Sequence, residues 1–289
     1  MAHAAPANPA LMVSNTTPGA VDAVRQTLRA VQSGKLEIAY DFLPESYQRD
    51  IDELIRQFAQ QMDPDIWAAA FAVAQKGVEV LRQKESEILE LMEEESGMFA
   101  ASDLRRDWDQ FADALDLLVS SELADVEQLG KVRARDFLGS TGNQVFAKLR
   151  TVGGEGRPNP IDQLAEVQVE LLAENVDSAT LRIQAPNAPD AEATRFVRVQ
   201  GRWIPENLAS TWEGTMQLAR RRLEQLSPET LAVRKDEILS GLRAIDGALD
   251  QMLAAQTAEE LNQAAFPLML QGIQLQSMLS APAGPTNGV

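Results

Sequence analysis

The side chains that most often carry catalysis are nearly absent from this sequence. It contains no cysteine and one histidine, His3, against 43 Asp and Glu residues. Thiol nucleophiles, disulfides and cysteine-ligated zinc are excluded, and neither a Ser-His-Asp triad nor a histidine-based metal site can form within one chain. Carboxylates can still support acid–base chemistry, but nothing in the sequence selects a pair. We therefore predict no catalytic residue, no metal ligand and no cofactor.

The strongest candidate for cation binding is the acidic run from Lys84 to Glu95. On a helix, Glu87, Glu90 and Glu94 would lie on one side, and carboxylates at that spacing can hold Ca²⁺. No loop of alternating Asp and Asn ligands accompanies them, and the residues between them supply an ordinary apolar helix face. The run is therefore interpreted as a solvated helix face.

Three arginines form the main candidate for anion binding. Arg182, Arg195 and Arg198 lie in a region that is predicted to be β-sheet, and we expect them to cluster on its polar face. An anionic ligand or a partner segment could dock there through charge-assisted hydrogen bonds. The favoured alternative is cross-strand ion pairing with Glu166 and Glu170.

Four aromatic residues are the ones most expected to lie near a cavity: Tyr40, Tyr47, Trp67 and Trp203. Buried Trp and Tyr usually pack in a core with the polar tip hydrogen-bonded, and this is the favoured interpretation. A pocket lining is the alternative. Together with Arg182 and Arg198, these four are the candidate ligand-binding residues.

Three further motifs receive structural interpretations. Arg220 to Arg222 lie beside Glu213 and Glu224, so intramolecular ion pairing is favoured over an exposed basic patch. Gly153 to Gly156 lack the preceding strand and the Lys-Ser/Thr of a phosphate loop. Gly139 to Asn143 precede a short predicted helix whose N-terminus could take an anion, but a glycine-rich helix break is favoured.

One stretch, about residues 163–205, is predicted to be β-sheet. Apolar and polar residues alternate around Val167–Leu171 and Leu181–Ile183, which indicates half-buried strands. A third run, Phe196–Val199, meets Trp203–Ile204 across a tight turn at Gln200–Gly201, typical of a hairpin. The sequence predicts a meander of three or four antiparallel strands with one apolar face.

Long helical blocks precede the sheet. Apolar stripes predict a helix starting at Thr17–Pro18, a short helix ending at Pro44, and a later helix opening at Asp63–Pro64. No proline occurs from Asp65 to Arg157, which indicates helices throughout that stretch. Breaks are expected at three glycines, Gly130, Gly139 and Gly142.

Helices also follow the sheet. The first runs from about Asn207 to Leu226, and the next starts at Ser227–Pro228. A capping box formed by Thr257 and Glu260 opens the last helix, which is expected to kink or break at Pro267. The last two helices are predicted to form an antiparallel hairpin joined by a short turn.

The order of these elements resembles a known family. The segment Gly34 to Leu43, GKLEIAYDFL, follows the first helix, and the meander closes on Gly201 to Ile204, GRWI. Both motifs are similar to those of bacterial members of the nuclear transport factor two-like, or ketosteroid-isomerase-like, cone. The resemblance covers about residues 18–44 and 163–205 and implies a cone with a cavity. Catalytic members use Tyr, Asp or His in the cone, and no such motif matches here.

The predicted fold class is therefore α+β and helix-dominated, with a small antiparallel sheet wrapped by helices. A cone-like domain is expected over 18–226, with its sheet at about 163–205 and a helical insertion at about 63–150. The remaining segments are a C-terminal helical hairpin at 227–280 and disordered tails at 1–17 and 281–289.

The net charge and the length of the apolar runs limit which partners and which cellular compartment are expected. The formal net charge is −17, which repels phosphate backbones and anionic lipids, so nucleic acid is not expected as a partner. The longest apolar run, Ile66 to Ala74, is too short to span a membrane. Ala2-His3-Ala4 and the Ala/Pro-rich stretch after it are typical of residues following a signal cleavage point. A periplasmic or secreted location is therefore slightly favoured over the cytoplasm.

Three functions from different classes fit this sequence. The leading hypothesis is a non-catalytic binding or scaffolding protein that contacts a small molecule or a protein through a cone cavity or the C-terminal hairpin. The first alternative is a small-molecule-binding cone with weak isomerase- or hydrolase-like activity through Tyr and Asp. The second is self-association through the Met- and Leu-rich hairpin, about Ile238 to Leu279, which would give a homo-oligomer.

Overall fold

Residues 19–96, 101–152, 161–186 and 193–280 are described by the computed structural model of the chain. Both predicted tails and the predicted helix start at Thr17–Pro18 lie outside these ranges. Within them the fold is α+β and dominated by helix, with one four-stranded antiparallel sheet, as predicted.

Twelve α-helices occur in the described part of the chain. In order they are α1 (Ala20–Gln32), α2 (Leu36–Tyr40), α3 (Glu45–Gln61), α4 (Pro64–Gln83), α5 (Glu85–Ser96), α6 (Ala101–Val119), α7 (Val126–Leu129), α8 (Ala134–Phe137), α9 (Asn143–Arg150), α10 (Glu206–Gln225), α11 (Pro228–Ala254) and α12 (Ala258–Ser280). No helix in this part of the chain combines the length and the apolar character that a bilayer-crossing segment requires.

The sheet is a meander whose strands follow one another in space as they do along the chain. These strands are β1 (Gln168–Glu174), β2 (Ser178–Gln184), β3 (Ala193–Val199) and β4 (Arg202–Pro205). Gln200 and Gly201 join β3 to β4 with φ angles of 51° and 79°. Positive φ at both residues is the two-residue turn whose twist matches antiparallel strands. The predicted hairpin is confirmed.

The same turn fixes the sheet against α3. Oε1 of Gln200 accepts a hydrogen bond from the backbone N–H of Ser46 at 3.0 Å, in the first turn of that helix. The first N–H groups of a helix have no partner within the helix. The side chain of Gln200 therefore caps a helix that lies about 150 residues earlier in the sequence.

Helix α1 covers the apolar face of the sheet. Ala20 and Ala23 pack against Leu181, Phe196 and Trp203, and all five residues are buried. Alanine side chains are short, so the helix backbone can approach the strands closely. The alternation of residues in β2 thus predicted the correct face, with Leu181 fully inaccessible to solvent.

Two long-range hydrogen bonds hold α1 to β1. Oε1 of Glu174 accepts a hydrogen bond from the N–H of Ala20 at 3.3 Å, where a carboxylate also interacts favourably with the positive end of the helix dipole. The Arg25 guanidinium donates to the carbonyl of Val169 at 3.0 Å. Both bonds fix the position of the helix along the first strand.

The glycines expected to break the helices after Lys131 do not do so. The chain stays helical from α8 to α9 through one wider π turn, Leu138–Gly142. A Cβ at Gly139 would lie 3.3 Å from Cβ of Glu37, so glycine here permits a close approach of α2. The possible anion site at Asn143 is also wrong, because a helix that is already continuous has no free N-terminus there.

Helices α4 and α11 form a second core beside the sheet. Ile66 of α4 packs with Leu231 and Ile238 of α11, and all three are buried. Asp63 caps α4 by accepting hydrogen bonds from the N–H groups of Asp65 and Ile66, with proline in the first turn, as the sequence predicted.

Ion pairs show that α4 and α11 run in the same direction. Lys235 on α11 lies 2.9 Å from Asp63 at the start of α4. Later along both helices, Lys76 lies 2.6 Å from Asp246 and 2.7 Å from Asp250. Residue numbers rise together along the two helices, so the pairing is parallel.

The predicted C-terminal helical hairpin is present and packs against the preceding helices. Thr257 caps α12 by accepting a hydrogen bond from the N–H of Glu260 at 3.2 Å, and the Glu260 carboxylate accepts one from the N–H of Gln256 at 2.7 Å. Nζ of the buried Lys84 donates to the Ala255 carbonyl in the connecting turn at 2.6 Å. Helix α12 continues through Pro267, so of the two expectations, a kink or a break, the break is wrong.

Truncation of Leu181 tests the sheet core. Leu181 is 0% exposed, whereas Leu171, its cross-strand partner on β1, is 44% exposed. We expect Leu181→Ala to lower the free energy of unfolding by about 2–5 kcal/mol because it leaves a cavity. The matched control Leu171→Ala should cost less than about 1 kcal/mol, since half-exposed apolar surface contributes little. Urea denaturation measures both, and equal losses would contradict this assignment of the core.

Replacement of Asp63 by Asn tests the charge at the α4–α11 contact. Burial raises the pKa of the Asp63 carboxyl, but hydrogen bonds from Lys235 and from the N–H groups of Ile66 and Asp65 outweigh burial and leave the pKa below its ordinary value of 3.8. A group with a depressed folded-state pKa stabilises the fold above its ordinary value, and the contribution disappears as the pH falls through the folded-state value.

We therefore expect the thermal midpoint of the wild type to fall more steeply below pH 3.8 than that of Asp63→Asn. Asparagine keeps an acceptor for the helix cap, so the difference between the two proteins isolates the charge. Parallel pH profiles would show that this carboxylate does not contribute to acid sensitivity.

Candidate functional site

The four aromatic residues predicted near one cavity lie in separate places. The hydroxyl of Tyr40 donates to the carbonyl of Gln48 at 3.3 Å. Burial, and then the negative charges of Asp52 and Asp41, raise the pKa of Tyr40 to about 12. The phenol therefore keeps its proton at neutral pH, as a packed tyrosine with a satisfied polar tip does.

Tyr47 belongs to the contact between α3 and α10. Its ring stacks on that of Trp212 with 4.0 Å between centroids and 6° between planes. The Asp50 carboxylate accepts a hydrogen bond from Nε1 of Trp212 at 2.9 Å and one from the Arg220 guanidinium at 3.0 Å. Arg220 is thus ion-paired as expected, although its partner is Asp50 and not a glutamate of its own helix.

Arg198 does not join Arg182 and Arg195 on the polar face. Its guanidinium carbon lies 4.5 Å from the ring centroid of Trp203, on the face that carries the core. Side chains alternate along a strand, so residues 195 and 198 must point to opposite faces. Nε of Arg198 is buried without a hydrogen-bond partner among the described residues, and the cation–π contact offsets part of that cost.

The two remaining sheet arginines are paired with carboxylates. Arg182 lies 2.6 Å from Glu170, its cross-strand neighbour, and Arg195 lies 3.3 Å from Glu206. The cross-strand alternative considered from the sequence is confirmed for Arg182. The expected clustering of all three arginines on the polar face is wrong, because Arg198 lies on the opposite face.

A small pocket lies where α1 and α2 meet the sheet. Its volume is about 210 Å³, and Phe42, Phe196, Trp203 and Leu208 are among the residues that line it. The hydroxyl of Thr27, also at its wall, already donates to the carbonyl of Ala23 at 3.0 Å. The described lining contains no carboxylate, so this pocket offers packing surface without an acid–base pair.

A larger groove, here called the α10 groove, lies between α3, α4 and α10. Its volume is about 610 Å³. Its lining is almost entirely apolar and comprises Leu54, Ile55, Phe58, Trp67, Phe71, Leu123, Leu129, Thr215, Leu218, Ala219, Arg222 and Leu223. Of the four aromatic candidates, Trp67 is the one placed in this groove.

An aromatic cluster forms one wall of the α10 groove. The ring of Trp67 meets that of Phe58 edge-on, with centroids 5.3 Å apart, and lies 4.9 Å from the ring of Phe71. Nε1 of Trp67 donates to the carbonyl of Leu123 at 2.8 Å. The polar atom of the indole is therefore satisfied inside the protein, and the rings present an apolar surface to the groove.

Helix periodicity places these residues together. The start of α4 is fixed by its Asp63 cap, so Trp67 and Phe71, four residues apart, share one face. On α10, Leu218 and Arg222 are also four apart and face the groove from the opposite side. Leu218 is 46% exposed, so the apolar surface is open to solvent.

Arg222 is the charged residue in the described lining of the α10 groove. The residues three and four positions away from Arg222 are Leu218, Ala219 and Gln225 on α10 and Leu226 just after it, so no carboxylate is spaced to pair with Arg222 along this helix. The structure assigns it no ion pair with any described residue. No feature of the sequence distinguishes Arg222 from its neighbours in the arginine run.

A polar pocket of about 550 Å³ lies between α4, α6 and α9. Asp113 accepts hydrogen bonds from Lys148 at 2.8 Å and Arg82 at 2.9 Å, and Arg82 also contacts Asp116 at 3.1 Å. The Lys148 hydrogen bond is the main reason that the pKa of Asp113 is lowered. These charges satisfy one another and tie three helices together, so the pocket offers no unpaired charge to a ligand.

Metal binding finds no support in the described ranges, where no group of three or more His, Asp or Glu side chains is positioned to hold an ion. Helix α5 carries the acidic run, and its Leu89 is fully buried while Glu90 is exposed. That pattern fits an amphipathic helix. Glu94 lies in a stretch whose side chains are not described.

Substitution of Asp50 tests whether its hydrogen bond with Trp212 holds α10 against α3. Asp50→Ala leaves the indole N–H without its acceptor, and we expect a loss of about 1–2 kcal/mol in the free energy of unfolding. Asp50→Asn keeps an acceptor and loses the ion pair with Arg220, which is worth less than about 1 kcal/mol for half-exposed partners. Urea denaturation of both variants measures the two losses. A larger loss in Asp50→Asn than in Asp50→Ala would contradict the main role given to the hydrogen bond with Trp212.

Comparisons with protein-family models, with curated proteins and with solved structures found no significant match to this chain. The resemblance to the nuclear transport factor two-like cone therefore stays a prediction. Function has to be inferred from the site itself.

Proposed function

We propose that this protein is a non-catalytic binding protein that takes an apolar ligand in the α10 groove. The observation that carries the proposal is the continuous apolar lining built around Phe58, Trp67 and Phe71 and open to solvent at Leu218. Small-molecule pockets are typically about 300–1,000 Å³ and mostly apolar with few polar groups. The α10 groove, at about 610 Å³, has both properties.

The composition of the groove favours binding over catalysis. Its described lining holds no carboxylate, and its hydroxyl group, on Thr215, already donates to the carbonyl of Thr211 at 3.0 Å. General acid–base catalysis requires a titratable group within hydrogen-bond reach of the reacting atom. The residues that line the groove supply a binding surface of defined shape and apolar contacts.

The alternative of acid–base chemistry by Tyr and Asp in the pocket beside the sheet receives less support. The pocket beside the sheet is about a third of the volume of the α10 groove, at about 210 Å³ against 610 Å³. Neither Tyr40 nor Tyr47 is among the residues that line it. The hydroxyl of Tyr40 is engaged with Gln48, so neither tyrosine is placed to act on a molecule in that pocket.

Self-association through the C-terminal hairpin also receives less support. Leu231, Ile238 and Leu249 of α11 and Leu261 of α12 are buried within the chain. These four apolar side chains of the hairpin are therefore already used in contacts within the chain. Removing residues 227–280 would uncover Ile66 and its neighbours, and such a protein is expected to aggregate.

The proposal predicts that a neutral apolar dye binds in the groove. Nile red should bind the wild type with a rise in fluorescence, and Leu218→Glu should abolish most of that rise by placing a charge on the open apolar wall. Leu218 is half-exposed, so the fold should tolerate the substitution. Thermal denaturation of the variant verifies that it remains folded.

The matched control is Val233→Glu. Val233 is 86% exposed on α11 and does not line the groove, so it introduces the same charge elsewhere on the surface. The control should bind the dye as the wild type does. Equal binding by Leu218→Glu, or no binding by any of the three proteins, would overturn the proposal.

A further inference from the structure

We propose that the ligand of the α10 groove is an anionic amphiphile, a hydrocarbon chain that ends in one negatively charged group, and that Arg222 binds the charged end. This inference rests on the proposed function, since it names the class of ligand for the same groove. The apolar lining contacts the chain, and the guanidinium provides paired N–H donors for a carboxylate.

The position of Arg222 is the first step. Arg222 lines the groove together with Leu218, Ala219 and Leu223 of the same helix. The facing residues from α3 are Leu54, Ile55 and Phe58, which carry no charge. A charged head held by Arg222 would therefore adjoin the apolar surface of the groove.

The second step is that Arg222 forms no ion pair with any residue that the structure describes. Arg220, two residues earlier, pairs with Asp50, and Arg82, Arg135 and Arg182 each contact a carboxylate within 3 Å. Arg222 has no such partner among the described residues, and its neighbours on the groove wall, Leu218, Ala219 and Leu223, carry no charge. Its guanidinium is therefore available to an anion that enters the groove.

The net charge of the protein also indicates whether the ligand is a free amphiphile or a membrane surface. A protein with 43 acidic and 26 basic residues is repelled by an anionic bilayer, and one arginine does not reverse that field. A single molecule with one negative charge experiences mainly the nearby guanidinium, because the field of distant surface charges is screened. The structure therefore favours a monomeric amphiphile.

Size argues against a protein partner in the groove. A stable protein interface buries about 800 Å² on each partner. A groove of about 610 Å³ lined by a dozen residues matches a small molecule better.

Two soluble surfactants with the same chain and opposite charge test the inference. Decanoate and decyltrimethylammonium are titrated into the full-length protein by isothermal calorimetry, below their critical micelle concentrations and at an ionic strength of about 0.15 M, where distant surface charges are screened. We expect the wild type to bind decanoate about three- to tenfold more tightly, the range for a charge-assisted bond at a partly exposed site. Arg222→Gln should remove this preference and leave the binding of the cation unchanged or slightly stronger.

The matched control is Arg221→Gln, which removes the same charge from the adjacent position outside the groove lining. It should keep the preference for decanoate. Arg222→Lys should keep part of it, because lysine supplies the charge without the bidentate geometry.

The outcomes separate the two proposals. If both surfactants bind equally and Arg222→Gln behaves as Arg221→Gln does, the anion specificity is wrong while the apolar binding function stands. If neither surfactant nor Nile red binds, both are wrong. If sedimentation shows a dimer that Leu218→Glu abolishes, the groove is occupied by a second copy of the chain, and both are again overturned.

Discussion

The carboxylate of Asp50 is the contact on which the arrangement of this molecule depends. It accepts hydrogen bonds from Trp212 and Arg220, two residues that lie two turns apart on α10, and so fixes both the distance and the rotation of that helix against α3. The apolar face of α10 continues past this contact and lines the α10 groove at Leu218, Ala219 and Leu223.

The sheet could be predicted from sequence because its signals are local. The alternation around Leu181 and the turn at Gln200 and Gly201 are read over a few residues, and the structure confirms both. The same alternation places Arg198 on the core face of the sheet. The prediction put it on the polar face because its charge was given more weight than its position in the strand. The prediction of a helix break at Gly139 was wrong because this glycine permits a close approach of α2 and does not mark a helix end.

The groove could not be predicted, for a different physical reason. Its walls come from α3 and α10, which lie more than 150 residues apart, and each wall reads in sequence as an ordinary apolar helix stripe. No local feature of the sequence distinguishes an apolar helix stripe that another element covers from one that remains exposed to solvent. Trp67 was among the candidates because of its residue type alone, and Arg222 became informative only when its surroundings were known.

Helix α10 borders both the pocket beside the sheet and the α10 groove. Leu208 in its first turn lines the pocket beside the sheet, and Leu218 lines the groove, about 15 Å further along the axis. The pocket and the groove therefore share one helix as a common wall.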